Sequence, residues 1–443
     1  MTMRLSNKWI APALAAQLAL PGAALAAGFQ VNEHNARATG RAGSFFATVD
    51  DASAVFYNPA GLTGVKGTQA MVGLTLLRPT NTYEGVGPLS VNTGGEPLSQ
   101  STEGGFVPVP NIYFAHALSE KAAVGIGFYA PYGLGVKWPN EWIGRTAVQE
   151  ISLRTFFLTP SVALKLADNV SVGVSISLVP STLGLRRVLG ANDNLQVLFP
   201  ASQYGTEGAV ELAGSAFGVG ANAGIQVTLI ENLKLGLAYR SAVSLDFTGN
   251  ADFQVPGTAP ASIRANFPDG PVTGAVTLPH AFSLGVGWVT KSLSVELSTA
   301  LTLWDSYQSL TISFLRNLPA PTSASPRNWA ASPTFRLGGE YMFGDVGFAD
   351  LTVRAGAMYD VTPAPDTTVE PGLPDANRFV FSGGAGLKFG KFFVDLAYMG
   401  VLVGERSASA SVNFPIGNPT GTDAGRFTGG LVHVLSTSLG VNL

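Results

Sequence analysis

Cysteine is absent from the 443 residues, which excludes disulfides, thiolate metal sites and a thiol nucleophile. Charge is scarce: Asp, Glu, Lys and Arg together make up 12% of the chain, about half the usual share of roughly 25%. With a net charge of −3 there is no basic footprint for nucleic acid. The four histidines, His34, His116, His280 and His433, stand far apart and have no metal-ligand spacing. No P-loop, Gly-x-Ser-x-Gly elbow or His-Glu-x-x-His occurs, so nothing points to a cofactor or to common catalytic motifs. After the N-terminal segment there is no run of 18 apolar residues, hence no transmembrane helix. Yet 46% of the residues are hydrophobic and 53 are glycine. That rules out disorder and sits badly with a soluble domain of this size.

The first residues explain part of the conflict. Arg4 and Lys8 precede an apolar stretch from Trp9 to Leu20, followed by Pro21-Gly22 and Ala24-Leu25-Ala26. This is the layout of a secretory signal peptide over residues 1–26, with cleavage after Ala26. The alternative is an uncleaved anchor, but the apolar core is shorter than the ~20 residues a membrane span needs.

In the rest of the chain the period is two. Leu233, Leu235, Leu237 and Tyr239 alternate with Lys234, Gly236, Ala238 and Arg240; Val170 to Leu178 and Leu351 to Tyr359 behave alike, as does the last segment, ending at Leu443. One apolar face and one small or polar face suit a lipid-facing barrel or a half-buried sheet. Fourteen strand-like segments are expected, near 68–78, 106–118, 121–130, 149–167, 168–180, 212–230, 232–248, 275–290, 291–314, 328–344, 348–360, 377–390, 391–403 and 429–443. Short links such as Glu231-Asn232 and Gly390-Lys391 alternate with long ones. That is the arrangement of periplasmic turns and outer loops in an all-β transmembrane antiparallel barrel; a sandwich has no reason for it. Aromatics near strand ends, among them Phe128-Tyr129, Trp304, Tyr341, Phe343, Phe389 and Phe392-Phe393, suit interfacial girdles.

Residues 27–67 do not alternate. Asp51-Ala52-Ser53 offers a helix cap and Pro59 a stop. Since a wide barrel leaves an open lumen, this segment reads as a plug (hatch) ahead of a barrel spanning 68–443, or else as a periplasmic tail.

At this point the chain resembles the FadL/TodX (OMPP1) family of outer-membrane transporters of long-chain fatty acids and other hydrophobic compounds. The resemblance rests on Ala27-Gly28-Phe29-Gln30-Val31-Asn32-Glu33, Asn58-Pro59-Ala60, Tyr129 to Leu134 with Trp142 to Arg145, Thr159-Pro160-Ser161, Leu278-Pro279-His280, Trp304-Asp305-Ser306-Tyr307, Arg336 to Tyr341 and Leu373 to Arg378. It implies passive transport in the Gram-negative outer membrane by loop capture, an internal pocket and lateral release through the wall. It also implies that Phe29 reaches the ligand pocket and that Asn58, Pro59 and Ala60 shape the plug or gate. Leu443 departs from the terminal aromatic that the barrel assembly machinery commonly reads. Leu198 and Phe199 in one outer loop, and Ile263 and Phe267 in the next, are candidates for first capture. A carboxylate cargo needs a cation inside; alternation points Arg336, Arg354 and Lys388 into the lumen with Glu340, Asp360 and Asp395. Arg336 and Arg354 are the candidate headgroup contacts, with pairing among these charges as the alternative. The expected partners are a long-chain fatty acid or aromatic hydrocarbon and outer-membrane lipid, around a monomer. Rival readings are a general porin, an adhesin or structural barrel, and an outer-membrane lipolytic enzyme.

Overall fold

The computed structural model describes residues 28–85, 98–189, 208–316, 322–408 and 425–443, and of Ile263 the backbone only. The expected leader, Leu198 and Phe199 lie outside these residues. Fourteen antiparallel strands close into a barrel, β1 pairing with β14 through Gln69↔Asn442 to Arg78↔His433. In chain order they are β1 (Thr68–Arg78 and Thr82–Gly85), β2 (Leu98–Ser101 and Val107–Ala117), β3 (Ala122–Tyr129 and Gly133–Lys137), β4 (Glu150–Thr155 and Phe157–Ala167), β5 (Val170–Leu189), β6 (Gly208–Ile230) and β7 (Leu233–Arg240 and Val243–Gln254). They continue with β8 (Gly270–Leu278 and His280–Val289), β9 (Leu293–Leu303 and Ser309–Phe314), β10 (Thr322–Pro326 and Ser332–Asp345), β11 (Asp350–Asp360), β12 (Arg378–Phe389), β13 (Phe392–Ser407) and β14 (Arg426–Asn442).

The alternation explains the wall. Val72, Leu74, Ile112, Val174, Ile176, Leu237, Leu297, Leu337, Phe381, Leu396, Leu435 and Leu439 are exposed on its outside, where hydrocarbon replaces water. Closure pairs the strands around the wall except beside Gly133–Lys137, which limits the sheet edge left in lipid, where each unsatisfied backbone group costs several kcal/mol. Several strands run further outward than the sequence suggests, as at Val243–Gln254 and Phe392–Ser407. Above the membrane nothing selects an apolar outer face, so the period-two signal fades while pairing continues. The aromatic girdle is realised at the periplasmic end by exposed Tyr341, Phe343, Phe389 and Phe392. Tyr129 and Trp304 do not belong to it: both are fully buried, because each falls on the inward set of its strand, Tyr129 after Gly125 and Gly127 and Trp304 after Ala300 and Thr302.

Residues 28–67 fill the lumen and are almost entirely buried. The tail alternative is thereby excluded for this segment. A short helix, Ala54–Tyr57, follows Ser53. It ends before Pro59, with Asn58 in extended backbone as the residue before a proline prefers, and Pro59 also opens the 3₁₀ turn Pro59–Gly64, capped by the Asn58 side chain, which accepts from the Ala60 N–H. The wall is notched for this turn: a Cβ at Gly173 or Gly224 would overlap Pro59 or Asn58.

Candidate ligand site in the lumen

The plug has an ionic floor facing the periplasm. Glu340 on β10 accepts from Arg37 at 2.6 and 3.1 Å, from Arg354 at 3.0 Å and from Arg41 at 3.4 Å. Arg354 on β11 also donates to Asp395 on β13 at 2.6 Å, and Arg37 reaches Asp50 at 2.6 Å and Asp51 at 3.1 Å. Glu296 on β9 is fully buried and accepts the backbone N–H groups of Phe46, Ala47 and Thr48 at 2.6, 3.1 and 2.9 Å and the Thr48 hydroxyl at 2.7 Å. The Asn58 amide donates to the carbonyls of Phe46 at 2.9 Å and Ile225 at 3.1 Å, tying the plug to β6. Each of these carboxylates accepts at least one charge-assisted or backbone hydrogen bond, as a buried network requires.

Above the floor, between the plug and β6–β10, lies a small cavity of about 40 Å³ lined by Gln30, Asn32, Phe46, Phe56, Tyr57, Asn222, Ala238, Arg240, Ala281, Ala300 and Arg336, among others. Arg336 is 4% exposed, yet its Nε and Nη1 have no hydrogen-bond partner. Its guanidinium lies 5.8 Å from the Phe46 ring. Arg240 stacks on Phe56 at 4.4 Å and donates to the Phe56 carbonyl at 3.0 Å, while its Nε is unpartnered. Among the described residues neither has an ion-pair partner. Glu33 in the plug is buried and its carboxyl is pushed above the usual range by that burial. His34 beside it is held neutral, its pKa lowered to about 3 by burial and by the Arg240 charge. Arg336 is buried and Arg240 half-buried, and the Asp360 and Glu33 carboxylates act on Arg336 from beyond ion-pair distance; an anion entering the cavity would add the direct partner that a buried cation calls for.

Phe29 borders this cavity region in an aromatic nest. It is 2% exposed, with Trp304, Tyr307, Trp329 and Tyr132 at 4.7, 5.6, 6.0 and 6.3 Å between ring centroids. Gly28 donates to Asp375 at 3.2 Å and has a φ of +69° with Trp304 and Trp329 against it, so no side chain fits there. The same N-terminal residues hold the one place where β3 leaves its ladder. Val31 donates to the Pro131 carbonyl at 2.8 Å and Gly133 to the Phe29 carbonyl at 2.9 Å. Beyond this break Gly133–Lys137 pairs with β4 only, and β2 pairs with β3 only from Ile112 to Ala117. A cleft lined by Asn81, Thr102, Val107, Gly135, Ile151 and Arg154 occupies the gap.

Of the residues singled out from sequence, Arg336 and Pro59 line the cavity, while Phe29 sits in its own aromatic nest and Asn58 holds the plug to β6. Arg354 sits in the floor instead, between two carboxylates. Lys388 lines the periplasmic opening. Phe267 is buried with Phe253 at 5.7 Å in a separate outer cluster. Arg240 and Glu296 were missed. Arg240 was legible, since the alternation of Leu233 to Arg240 already turns it inward. Glu296 was not, because its partners are backbone N–H groups.

A closed fourteen-strand barrel with an apolar outer belt and a filled lumen is an outer-membrane transport barrel. The chain belongs to the family described as outer membrane protein transport protein (OMPP1/FadL/TodX), which matches residues 17–418. It is 27% identical over 391 residues to a long-chain fatty acid transport protein of Salmonella typhi, covering 83% of this chain and 85% of that protein. It is also 27% identical over 418 residues to outer membrane protein P1 of Haemophilus influenzae, covering 86% and 87%. Among solved structures, its fold resembles a Pseudomonas aeruginosa FadL homologue (TM-score 0.78, 22% identity, 94% of this chain and 100% of that one). It likewise resembles the Ralstonia pickettii toluene transporter TbuX (TM-score 0.67, 17% identity, 94% and 100%).

Proposed function

We propose that this protein carries a hydrophobic carboxylic acid, of the long-chain fatty acid class, passively into the outer membrane through the luminal cavity. The observation that carries this reading is Arg336: buried, unpartnered and facing an otherwise largely apolar cavity. Arg240 adds a second cation. The aromatic nest of Phe29 receives the apolar part, so the N-terminus occupies space that a cargo would take. Phe267, with Leu198, Phe199 and Ile263, serves first capture on the outside. Asn58, Pro59 and Ala60 hold the plug, and Arg354 belongs to that anchoring rather than to the headgroup. The floor closes the axial route, which leaves the gap between β2 and β3 as the exit into lipid. The names of relatives, a long-chain fatty acid transport protein and a toluene transporter, support an apolar cargo; the two arginines favour the acid over the neutral ring. The protein works as a monomer inserted by the barrel assembly machinery, and transport rather than catalysis is its role.

The absence of cysteine makes the test clean. A double variant, Phe29→Cys with Trp329→Cys, is oxidised to pin the N-terminus in its nest. Uptake of labelled oleate should stop under oxidation and return on reduction. Oleate uptake that ignores the tether would refute the reading.

A further inference from the structure

On one sector of the barrel the lipid-facing surface carries a polar group near its outer end, with Leu402 and Leu431 exposed beyond it. From the periplasmic end of β1, β2 and β14 it is aliphatic and aromatic: Val72, Leu74, Ile112, Phe114, Leu435 and Leu439 are exposed. At the far end of the same rows stand Arg78, His433, Tyr398 and Phe106. Arg78 lies directly opposite His433 across the β1–β14 seam. On its other side, the Arg78 guanidinium reaches over the Phe106 ring at 6.0 Å. Tyr398 and His433 share a hydrogen bond of 2.9 Å between the phenol oxygen and Nδ1. Opposite His433 is Gly400, whose missing side chain leaves room for that bond; a Cβ there would stand 3.5 Å from the Tyr398 hydroxyl.

The height of this group is set by the strand. Arg78 ends an eleven-residue segment that starts at the periplasmic rim. At ~3.3 Å per residue and a tilt of about 40°, it stands roughly 25 Å up, where the apolar band of such barrels ends. The neighbouring carboxylates are engaged elsewhere: Glu84 with Arg426 at 2.7 Å and Glu405 with Arg426 at 3.3 Å. Among the described residues Arg78 has no ion-pair partner. An exposed arginine braced on an aromatic ring, beside an imidazole whose Nδ1 is already taken, offers a fork of donors plus a second nitrogen to an oxyanion.

We propose that this sector binds a phosphate of lipid A, the phosphorylated glycolipid of the outer leaflet. Its acyl chains lie along Leu74, Ile112 and Leu435 while Arg78 and His433 hold the phosphate. Lipid A, rather than a glycerophospholipid, is the occupant because the cations stand at the outer end of the strands, the end away from the short turns, where that glycolipid forms the leaflet. The site is separate from the luminal cavity, since all four side chains face outward, and it stands on the lipid-facing side next to the β2–β3 cleft.

The test uses delipidated full-length protein in detergent and native mass spectrometry. Three probes are titrated: diphosphoryl lipid A, dephosphorylated lipid A and phosphatidylglycerol. The wild type should prefer diphosphoryl lipid A over both others by about tenfold or more, the scale of one or two charge-assisted hydrogen bonds. R78Q/H433Q should lose that preference while keeping the heat-modifiable mobility of a folded barrel. Equal binding of phosphorylated and dephosphorylated lipid A by the wild type would overturn the proposal without any variant. So would equal binding of phosphatidylglycerol, or a preference that survives in R78Q/H433Q.

Discussion

The floor of the plug and the cavity above it both use arginines inside the barrel and end in opposite states. In the floor, Arg354 touches Glu340 and Asp395, and Arg37 touches three carboxylates. In the cavity, Arg336 and Arg240 meet no carboxylate within ion-pair distance among the described residues. A buried pair that is fully matched holds elements together and has little left to offer a ligand. A buried cation left with open donor positions retains its attraction for an anion. Burial alone therefore does not separate an anchor from a binding group; the count of matched partners does.

The contrast can be broken most severely at Glu296. Its replacement by Ala orphans three plug N–H groups, at roughly 1–3 kcal/mol each. Glu296→Ala should release residues 46–48 and convert a closed barrel into one with frequent open events in planar bilayers. Conductance like that of the wild type would mean that the floor does not hold the plug. Next in size is Gly224→Val, which places side-chain atoms where Asn58 sits. It should raise protease sensitivity of the plug, whereas Gly383→Ala, with its nearest contact at 3.7 Å, should leave it unchanged. Equal sensitivity in the two would remove the notch argument.

A sharper comparison sets the two arginines against each other. Arg336→Met should weaken fatty acid binding by about tenfold or more, from loss of a charge-assisted contact, and leave a neutral hydrocarbon unaffected. Arg354→Met should change acid affinity by less than about threefold and act on plug stability instead. Fluorescent fatty acid titration reads the first and hydrogen exchange of residues 36–51 the second; the reverse pattern would exchange their roles.

The smallest effect concerns pH. His34 in the folded plug stays neutral down to about 3, while the unfolded chain takes up a proton near 6.5. Stability from His34 is thus fully present above 6.5 and is lost as pH falls toward 3. Burial raises the pKa of Glu33, which acts in the opposite sense, favouring the folded plug at lower pH. His34→Phe should therefore flatten the acid-side loss in exchange protection of residues 30–40, corrected for intrinsic rate, between pH 7 and 5. An unchanged slope would assign that loss to other groups.

Much of the fold was legible because lipid imposes a rule on every second residue. The outward set Leu233, Leu235, Leu237 and Tyr239 forces Arg240 inward, and the same parity turns Arg336, Glu340, Arg354, Asp360 and Asp395 into the lumen. Tyr129 and Trp304 were placed in the girdle because they stand near strand ends, although the alternation of their strands turns both inward with Gly127 and Thr302. Pro59 was legible as the stop of the helix before it, but not as the start of the 3₁₀ turn after it, because the cap that makes it a start, Asn58, acts through its own side chain.

What the amino-acid order determined alone is the barrel: period two, turn spacing and an apolar outer face are local properties, and each strand carries them by itself. What only the tertiary structure decided is which buried charges meet. Arg336 and Arg354 have the same parity and the same composition around them. Glu340 and Asp395 lie 55 positions apart on β10 and β13, and only closure of the wall around the plug sets both beside Arg354 and leaves Arg336 facing an empty cavity.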